Sequence, residues 1–120
     1  MASGLDMAEI SRGVAPVDEI IKGEITPGED EAYNLPQALY LKERLPSLPL
    51  VVVGGIRSPQ VAEEVLHKGL DGVAFCRPLL AEPSLPRRWK KGDMAPSQCI
   101  SCSRCILQRG KVRCRREVSK

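Results

Sequence analysis

The sequence predicts an α/β fold built on parallel strands, and three observations carry that prediction. Leu50-Val51-Val52-Val53 is an unbroken apolar run ending at Gly54-Gly55. Unbroken runs, in contrast to alternating ones, mark strands covered on both faces, as in parallel sheets. Residues 72–76 (Gly72-Val73-Ala74-Phe75-Cys76) form a second such run, and an amphipathic helix pattern lies between the two. Strand, helix and strand over about 27 residues make one βαβ unit, which closes right-handedly in nearly all proteins.

The elements follow in order. Residues 1–30 are rich in turn signals, with a short strand expected to end over 8–10 and one helical turn over 17–22. Glu29-Asp30-Glu31 reads as the acidic first turn of a helix over 31–44, where carboxylates favour exposed N–H groups. Leu35, Ala38, Leu39 and Leu45 give that helix its apolar face, and Pro36 falls in its early turns. After the strand at 50–53, Ser58-Pro59 reads as an N-cap followed by Pro at the first helical position. Val61, Ala62, Val65 and Leu66 form the apolar stripe of the helix, and Gly69 ends it. Cys76, in the second strand, reads as a small apolar packing residue. Pro78, Pro83 and Pro86 punctuate a loop leading to a short helix over 87–91, with Trp89 packed on the sheet.

Composition sets outer bounds. The chain has 120 residues, 42% of them hydrophobic, with four aromatics (Tyr33, Tyr40, Phe75, Trp89), so its core is aliphatic. That length excludes a multidomain enzyme within the chain. No stretch approaches the roughly 18–20 apolar residues of a membrane span. Met1–Ile10 carries Asp6 and Glu9 and has no apolar centre, which argues against a signal peptide and for a cytoplasmic protein.

Charge and cysteine are unevenly placed. Up to Pro86 there are seven Lys/Arg against thirteen Asp/Glu; from Arg87 onward there are eleven against two. Four of the five cysteines, Cys99, Cys102, Cys105 and Cys114, lie in this basic end. Without a secretory signal, metal or redox chemistry is a better reading than a disulfide framework. Four thiolates around Zn²⁺ or an iron–sulfur cluster leave a net negative charge, which Arg104, Arg109, Lys111, Arg113, Arg115 and Arg116 would offset. A solvated basic tail is the plain alternative.

Two constellations are candidates for chemistry. In the first, Val53-Gly54-Gly55-Ile56-Arg57-Ser58 ends one strand and Cys76-Arg77-Pro78 ends the next. Glycines let backbone N–H groups approach an anion, and the helix start at Ser58 adds a positive dipole end. Adjacent strand ends converging on one phosphate match the site after strands 7 and 8 of many (β/α)8 barrels. Arg77 would add a fixed charge. Taken alone, the glycines fit a plain βα turn better, because short Gly motifs recur by chance.

The second constellation is Cys99-x2-Cys102-x2-Cys105 with Cys114 beyond. This spacing favours a cluster over zinc, which more often uses two separated Cys-x2-Cys knuckles; unmetallated thiols remain a third reading. His67, the single histidine, lies on a polar helix side and reads as a surface residue. No Ser-His-Asp set, HExxH, Walker lysine motif or GxGxxG is present.

The ordered motifs Glu31-Ala32-Tyr33-Asn34-Leu35, Leu50 to Pro59, Gln60 to Glu64, Arg77 to Ala81 and Leu85-Pro86 resemble the old yellow enzyme family of FMN oxidoreductases. Cys99-Ile100-Ser101-Cys102 extends the resemblance to the 2,4-dienoyl-CoA reductase and trimethylamine dehydrogenase branch. The resemblance implies a TIM (β/α)8 barrel, of which this chain supplies about the last two to three βα units: a partial FMN-binding segment over 1–92 and a Cys-rich basic tail over 93–120. It implies that Gly54, Gly55, Ile56, Cys76 and Arg77 hold the FMN phosphate, and that Cys99, Cys102, Cys105 and Cys114 hold a [4Fe-4S] cluster. NAD(P)H and an unsaturated carbonyl-type substrate would engage only the complete enzyme. No catalytic residue is assigned, since the family's substrate-binding and proton-donating residues lie on strands upstream of this chain. Two departures stand out: Cys76 replaces a usual Gly, and the gap from Cys105 to Cys114 is short.

On this reading 120 residues are less than half of a barrel of about 250, and the chain is a C-terminal fragment expected to associate with itself or with the rest of the barrel. Two other readings remain open. One is a small four-cysteine metal-binding module with a basic tail contacting nucleic acid, which the lack of any aromatic stacking residue beyond Trp89 argues against. The other is a non-catalytic remnant completing another chain's barrel.

Overall fold

Three short parallel strands frame the computed structural model, which describes residues 4–11, 31–102, 104–107 and 110–116. They are β1 (Ala8–Ile10), β2 (Leu50–Val53) and β3 (Gly72–Ala74), side by side in sequence order. Consecutive parallel neighbours are what a barrel sector has; a doubly wound sheet reverses its order at a switch point. The register pairs Ala8 with Leu50, Ile10 with Val52, and Val52 with Val73. Because side chains alternate across a strand, Ala8, Ile10, Leu50, Val52 and Val73 share one face and pack into the core with Ala38 and Val65 of the helices.

The opposite face carries Glu9, Val51, Val53, Gly72 and Ala74. Val51 and Val53 are only half-buried there, so β2 is not covered on both faces as its apolar run predicts. Among the described residues the core helices pack on the first face, and the other is the face that the inward-pointing layers of a closed barrel fill.

Helix α1 (Leu35–Arg44) starts four residues later than expected. Ala38 is fully buried, and Leu35 and Leu39 pack against the core. Helix α2 (Pro59–His67) begins as predicted: the Val61 N–H donates to Ser58 Oγ at 3.4 Å, and Pro59 takes the first position. Gly69, at φ +106, closes it. Val65 is buried, but Leu66 turns outward and leaves the apolar stripe; His67 is exposed as expected.

β3 stops at Ala74, two residues early, because Phe75 turns to meet Trp89 with ring centroids 5.8 Å apart. Cys76 is therefore exposed at the start of a helix and does not pack inside a strand. That helix, α3 (Arg77–Ala81), occupies what the prolines suggested was loop. Pro78 sits in its first turn, where a missing N–H is harmless, and the Cys76 carbonyl accepts from Leu79 and Leu80 at 2.9 and 3.1 Å. Helix α4 (Leu85–Lys90) follows, two residues ahead of its predicted start, and α5 (Arg104–Leu107) lies in the Cys-rich segment. The helical turn expected over 17–22 lies outside the described residues.

The N-terminal ends of the strands are pinned by Asp71. Its carboxylate accepts from the Leu50 N–H at 2.8 Å and from Lys42 Nζ at 2.9 Å, and these bonds hold the carboxyl below its ordinary pKa. Among the described residues no helix is long and apolar enough to cross a membrane.

Candidate functional site

At the C-terminal ends of β2 and β3 the two loops enclose a cavity of about 90 Å³. Gly54, Gly55, Ile56, Cys76 and Arg77 all line it, so the five residues singled out by the sequence meet at one place. The volume is well below the roughly 300–1,000 Å³ of a whole-ligand pocket and suits a head group. Gly54 and Gly55 have φ of +135° and +72°, a backbone region that strains residues carrying a Cβ. Gly54 has a second reason to be glycine: a Cβ there would lie 2.6 Å from Asn34 Nδ2 and 2.7 Å from the Tyr33 ring. Asn34, itself buried, donates to the Val53 carbonyl at 2.6 Å and fixes the end of β2.

Glu31 is not in the first turn of α1. Its carboxylate accepts from the Arg57 N–H, from the Ser58 N–H at 2.6 Å and from Ser58 Oγ at 2.7 Å. The positive end of α2 is thus already met by a carboxylate, which corrects the expectation that this helix start faces an incoming anion. The remaining polar groups around the cavity are the glycine loop, the Cys76–Arg77 turn and the arginines.

Arg57 is a site residue that the motif reading did not assign. It lines the cavity and is 1% exposed. Burial lowers its pKa, nearby Arg77 and Arg116 push the same way, and Cys99 and Glu31 oppose them. Several guanidinium groups therefore crowd one region, and an anion between them relieves their repulsion. Tyr33 and Ser101 also line the cavity; their proximity depends on tertiary folding and has no local signature.

Cys99, Cys102, Cys105 and Cys114 line a second, smaller cavity together with Arg77, Arg115 and Arg116. All four thiols are free and half-buried. Among the described residues, no group of three or more His, Cys, Asp or Glu side chains is arranged to hold a metal ion. Burial, reinforced by Cys99, pushes the Cys105 thiol up. Arg104, Lys111 and Arg113 point to solvent, while Arg109 lies outside the described residues. The donor chemistry suits a soft metal or cluster; the thiols as they stand do not form its ligand shell.

The Cys-rich segment is fastened to the strand end. The Ser97 N–H donates to the Arg57 carbonyl at 2.7 Å, and Arg116 Nη1 donates to the Gln98 carbonyl at 2.7 Å. Arg88 pairs with the buried Glu82 and reaches the Ala95 and Pro96 carbonyls at 3.0 and 3.2 Å. Trp89 Nε1 donates to the Ala95 carbonyl at 3.0 Å.

Comparison with known proteins adds independent findings. The family model for dihydrouridine synthase matches residues 26–118. A 4,4'-dithiodibutanoate disulfide reductase of Rhodococcus erythropolis is 31% identical over 77 residues, 64% of this chain and 19% of that protein. An NADH oxidase of Thermoanaerobacter brockii is 36% identical over 86 residues, 63% of this chain and 13% of that protein. An NADH-dependent flavin oxidoreductase of Talaromyces variabilis is 29% identical over 92 residues, 71% of this chain and 22% of that protein. The chain thus spans less than a quarter of the length of these relatives. No solved structure matches the chain.

Proposed function

The chain belongs to the dihydrouridine synthase family, a TIM-barrel FMN family related to old yellow enzyme, and on that premise we propose that it forms the phosphate-holding end of an FMN-dependent oxidoreductase barrel. The observation that carries this reading is the cavity between the β2 and β3 loops, framed by two positive-φ glycines and lined by Arg57 and Arg77. Gly54 and Gly55 bring backbone close to the phosphate, Ile56 anchors the loop in the core, and the Cys76–Arg77 turn approaches from β3. Arg77 supplies a charged fork and Arg57 a buried positive charge behind it. Glu31 holds the Arg57–Ser58 amides, keeping the loop in shape before any ligand arrives.

Bound FMN supplies hydride chemistry, from NADH or NADPH to an acceptor. The relatives named NADH oxidase and NADH-dependent flavin oxidoreductase support the nicotinamide donor. Making a dihydrouridine adds two hydrogens across a double bond conjugated to a carbonyl, so the family name and the old yellow enzyme likeness support one acceptor class, an alkene activated by a carbonyl. The chain's own residues bind and orient the phosphate end; no proton donor is assigned to them.

Cys99, Cys102, Cys105 and Cys114 are the ligand set we assign to a [4Fe-4S] cluster. Their shared cavity and its arginine lining support this. These four thiols would hold the cluster only if drawn closer together than they stand here, and the cluster would supply one-electron transfer beside the flavin.

Flavin titration of the full chain tests the phosphate site. FMN should bind at least tenfold more tightly than riboflavin, a ratio set by about 1.5–3 kcal/mol per hydrogen bond to a charged group. Arg77→Gln should remove most of that preference. Equal affinity for both flavins would overturn the assignment.

A further inference from the structure

Helix α4 contributes no lining residue to the anion cavity, yet both loops that form the cavity are fastened to it. On the β3 side the link is Phe75, which lines the cavity with Cys76 and Arg77 and packs on Trp89 at 5.8 Å between ring centroids, tilted by 54°. On the β2 side the link is the segment after α4. The Ala95 carbonyl accepts from Trp89 Nε1 and from Arg88 Nη1, both at 3.0 Å, and the Pro96 carbonyl accepts from Arg88 Nη2 at 3.2 Å. Next in the chain, the Ser97 N–H donates to the carbonyl of Arg57, itself a lining residue, at 2.7 Å.

Trp89 stands on both routes. Its ring meets Phe75, one residue before the Cys76–Arg77 turn, and its N–H holds the chain two residues before Ser97. Gly92, at φ +99, and the Asp93 N–H bond to the Arg88 carbonyl at 3.2 Å turn the chain after α4 and return Ala95 to the indole. The plain alternative is that Trp89 only covers Phe75 with apolar surface. A leucine would do that as well, but an indole also carries a donor, and here the donor is used on the segment that reaches Arg57.

We propose that Trp89 is a positioning residue for the phosphate cavity. Its ring sets Phe75 and with it the Cys76–Arg77 turn; its N–H sets residues 95–97 and with them the Arg57 end of the glycine loop. One side chain outside the cavity thereby fixes how the two loops stand to each other. The inference rests on the FMN-phosphate reading above and extends it to a residue that touches no ligand.

The test titrates wild type, Trp89→Leu and Trp89→Phe, each as the full chain, with FMN and with riboflavin. Trp89→Leu should bind FMN about tenfold more weakly, as when one hydrogen bond to a charged group is lost, with riboflavin affinity unchanged. Trp89→Phe keeps a ring for Phe75 and loses only the N–H, so FMN should weaken about threefold, as for one neutral hydrogen bond; it carries the test if Trp89→Leu fails to fold. A second readout is the emission of Trp89, the single tryptophan of the chain. Inorganic phosphate should change it saturably in wild type, sodium chloride at equal ionic strength should not, and Arg77→Gln should abolish the change. Unchanged FMN affinity in the variants, equal weakening of both flavins, or an emission that phosphate leaves untouched would overturn the role of Trp89 and leave the FMN reading standing. A wild-type chain that does not prefer FMN to riboflavin would overturn the reading and the inference together.

Discussion

Removing the Glu31 carboxylate should unfold the β2–α2 loop's scaffold more than its half-buried surface position suggests. The side chain accepts three hydrogen bonds, from the Arg57 and Ser58 N–H groups and from Ser58 Oγ. In Glu31→Ala the donors on Arg57 and Ser58, both buried residues, lose their acceptor. A hydrogen bond to a charged group contributes about 1.5–3 kcal/mol, but three bonds to one carboxylate do not add. A net loss of about 3 kcal/mol is the result, a large part of the roughly 5–15 kcal/mol that holds a domain folded. With a urea m-value of about 1.5 kcal/mol/M, the unfolding midpoint should fall by about 2 M. Glu31→Gln keeps an acceptor oxygen and should lose only about 1 kcal/mol. Urea denaturation followed by circular dichroism gives both numbers. A Glu31→Ala stability within about 0.5 kcal/mol of wild type would refute the assignment of Glu31 as the fastener of this loop.

Other substitutions probe other joints. Gly54→Ala forces a Cβ against Asn34 and Tyr33 at positive φ and should destabilise by about 3 kcal/mol or more, whereas Gly69→Ala, with open space around its Cβ, should lose only about 1 kcal/mol; similar thermal shifts for the two would contradict the packing argument. Arg88→Ala strands the buried Glu82 and should lose about 3 kcal/mol, with Glu82→Gln added to it recovering part; no recovery in the double variant would point elsewhere. Asp71 has a depressed carboxyl pKa in the folded chain, so its contribution is fully present above the unfolded value near 3.8 and is lost as pH falls through the lower folded value. The melting temperature should therefore drop more steeply below about pH 4 in wild type than in Asp71→Asn; parallel curves would show that the Leu50 and Lys42 bonds add nothing.

Much of the frame is legible in the sequence because it is local. The run Leu50–Val53, the Ser58-Pro59 helix start and Gly69 each carry their signal within a few residues, and the structure has them where expected. Glu31 shows the limit: an acid before a helix reads as that helix's own dipole partner, yet its donors lie 26 and 27 residues away. Helix α3 is hidden by Pro78, which breaks a helix interior but suits a first turn. Cys76 leaves the strand because the Phe75–Trp89 contact turns the chain, and no local pattern encodes that contact. Ser101 and Arg57 join the site through the Ser97–Arg57 bond, again a long-range event.

A crystal structure of the chain with FMN bound would place the phosphate. The phosphate should lie in the cavity between the β2 and β3 loops, within hydrogen-bond distance of the glycine-loop backbone and of the Arg77 guanidinium. A phosphate bound elsewhere, with this cavity filled only by water, would contradict it.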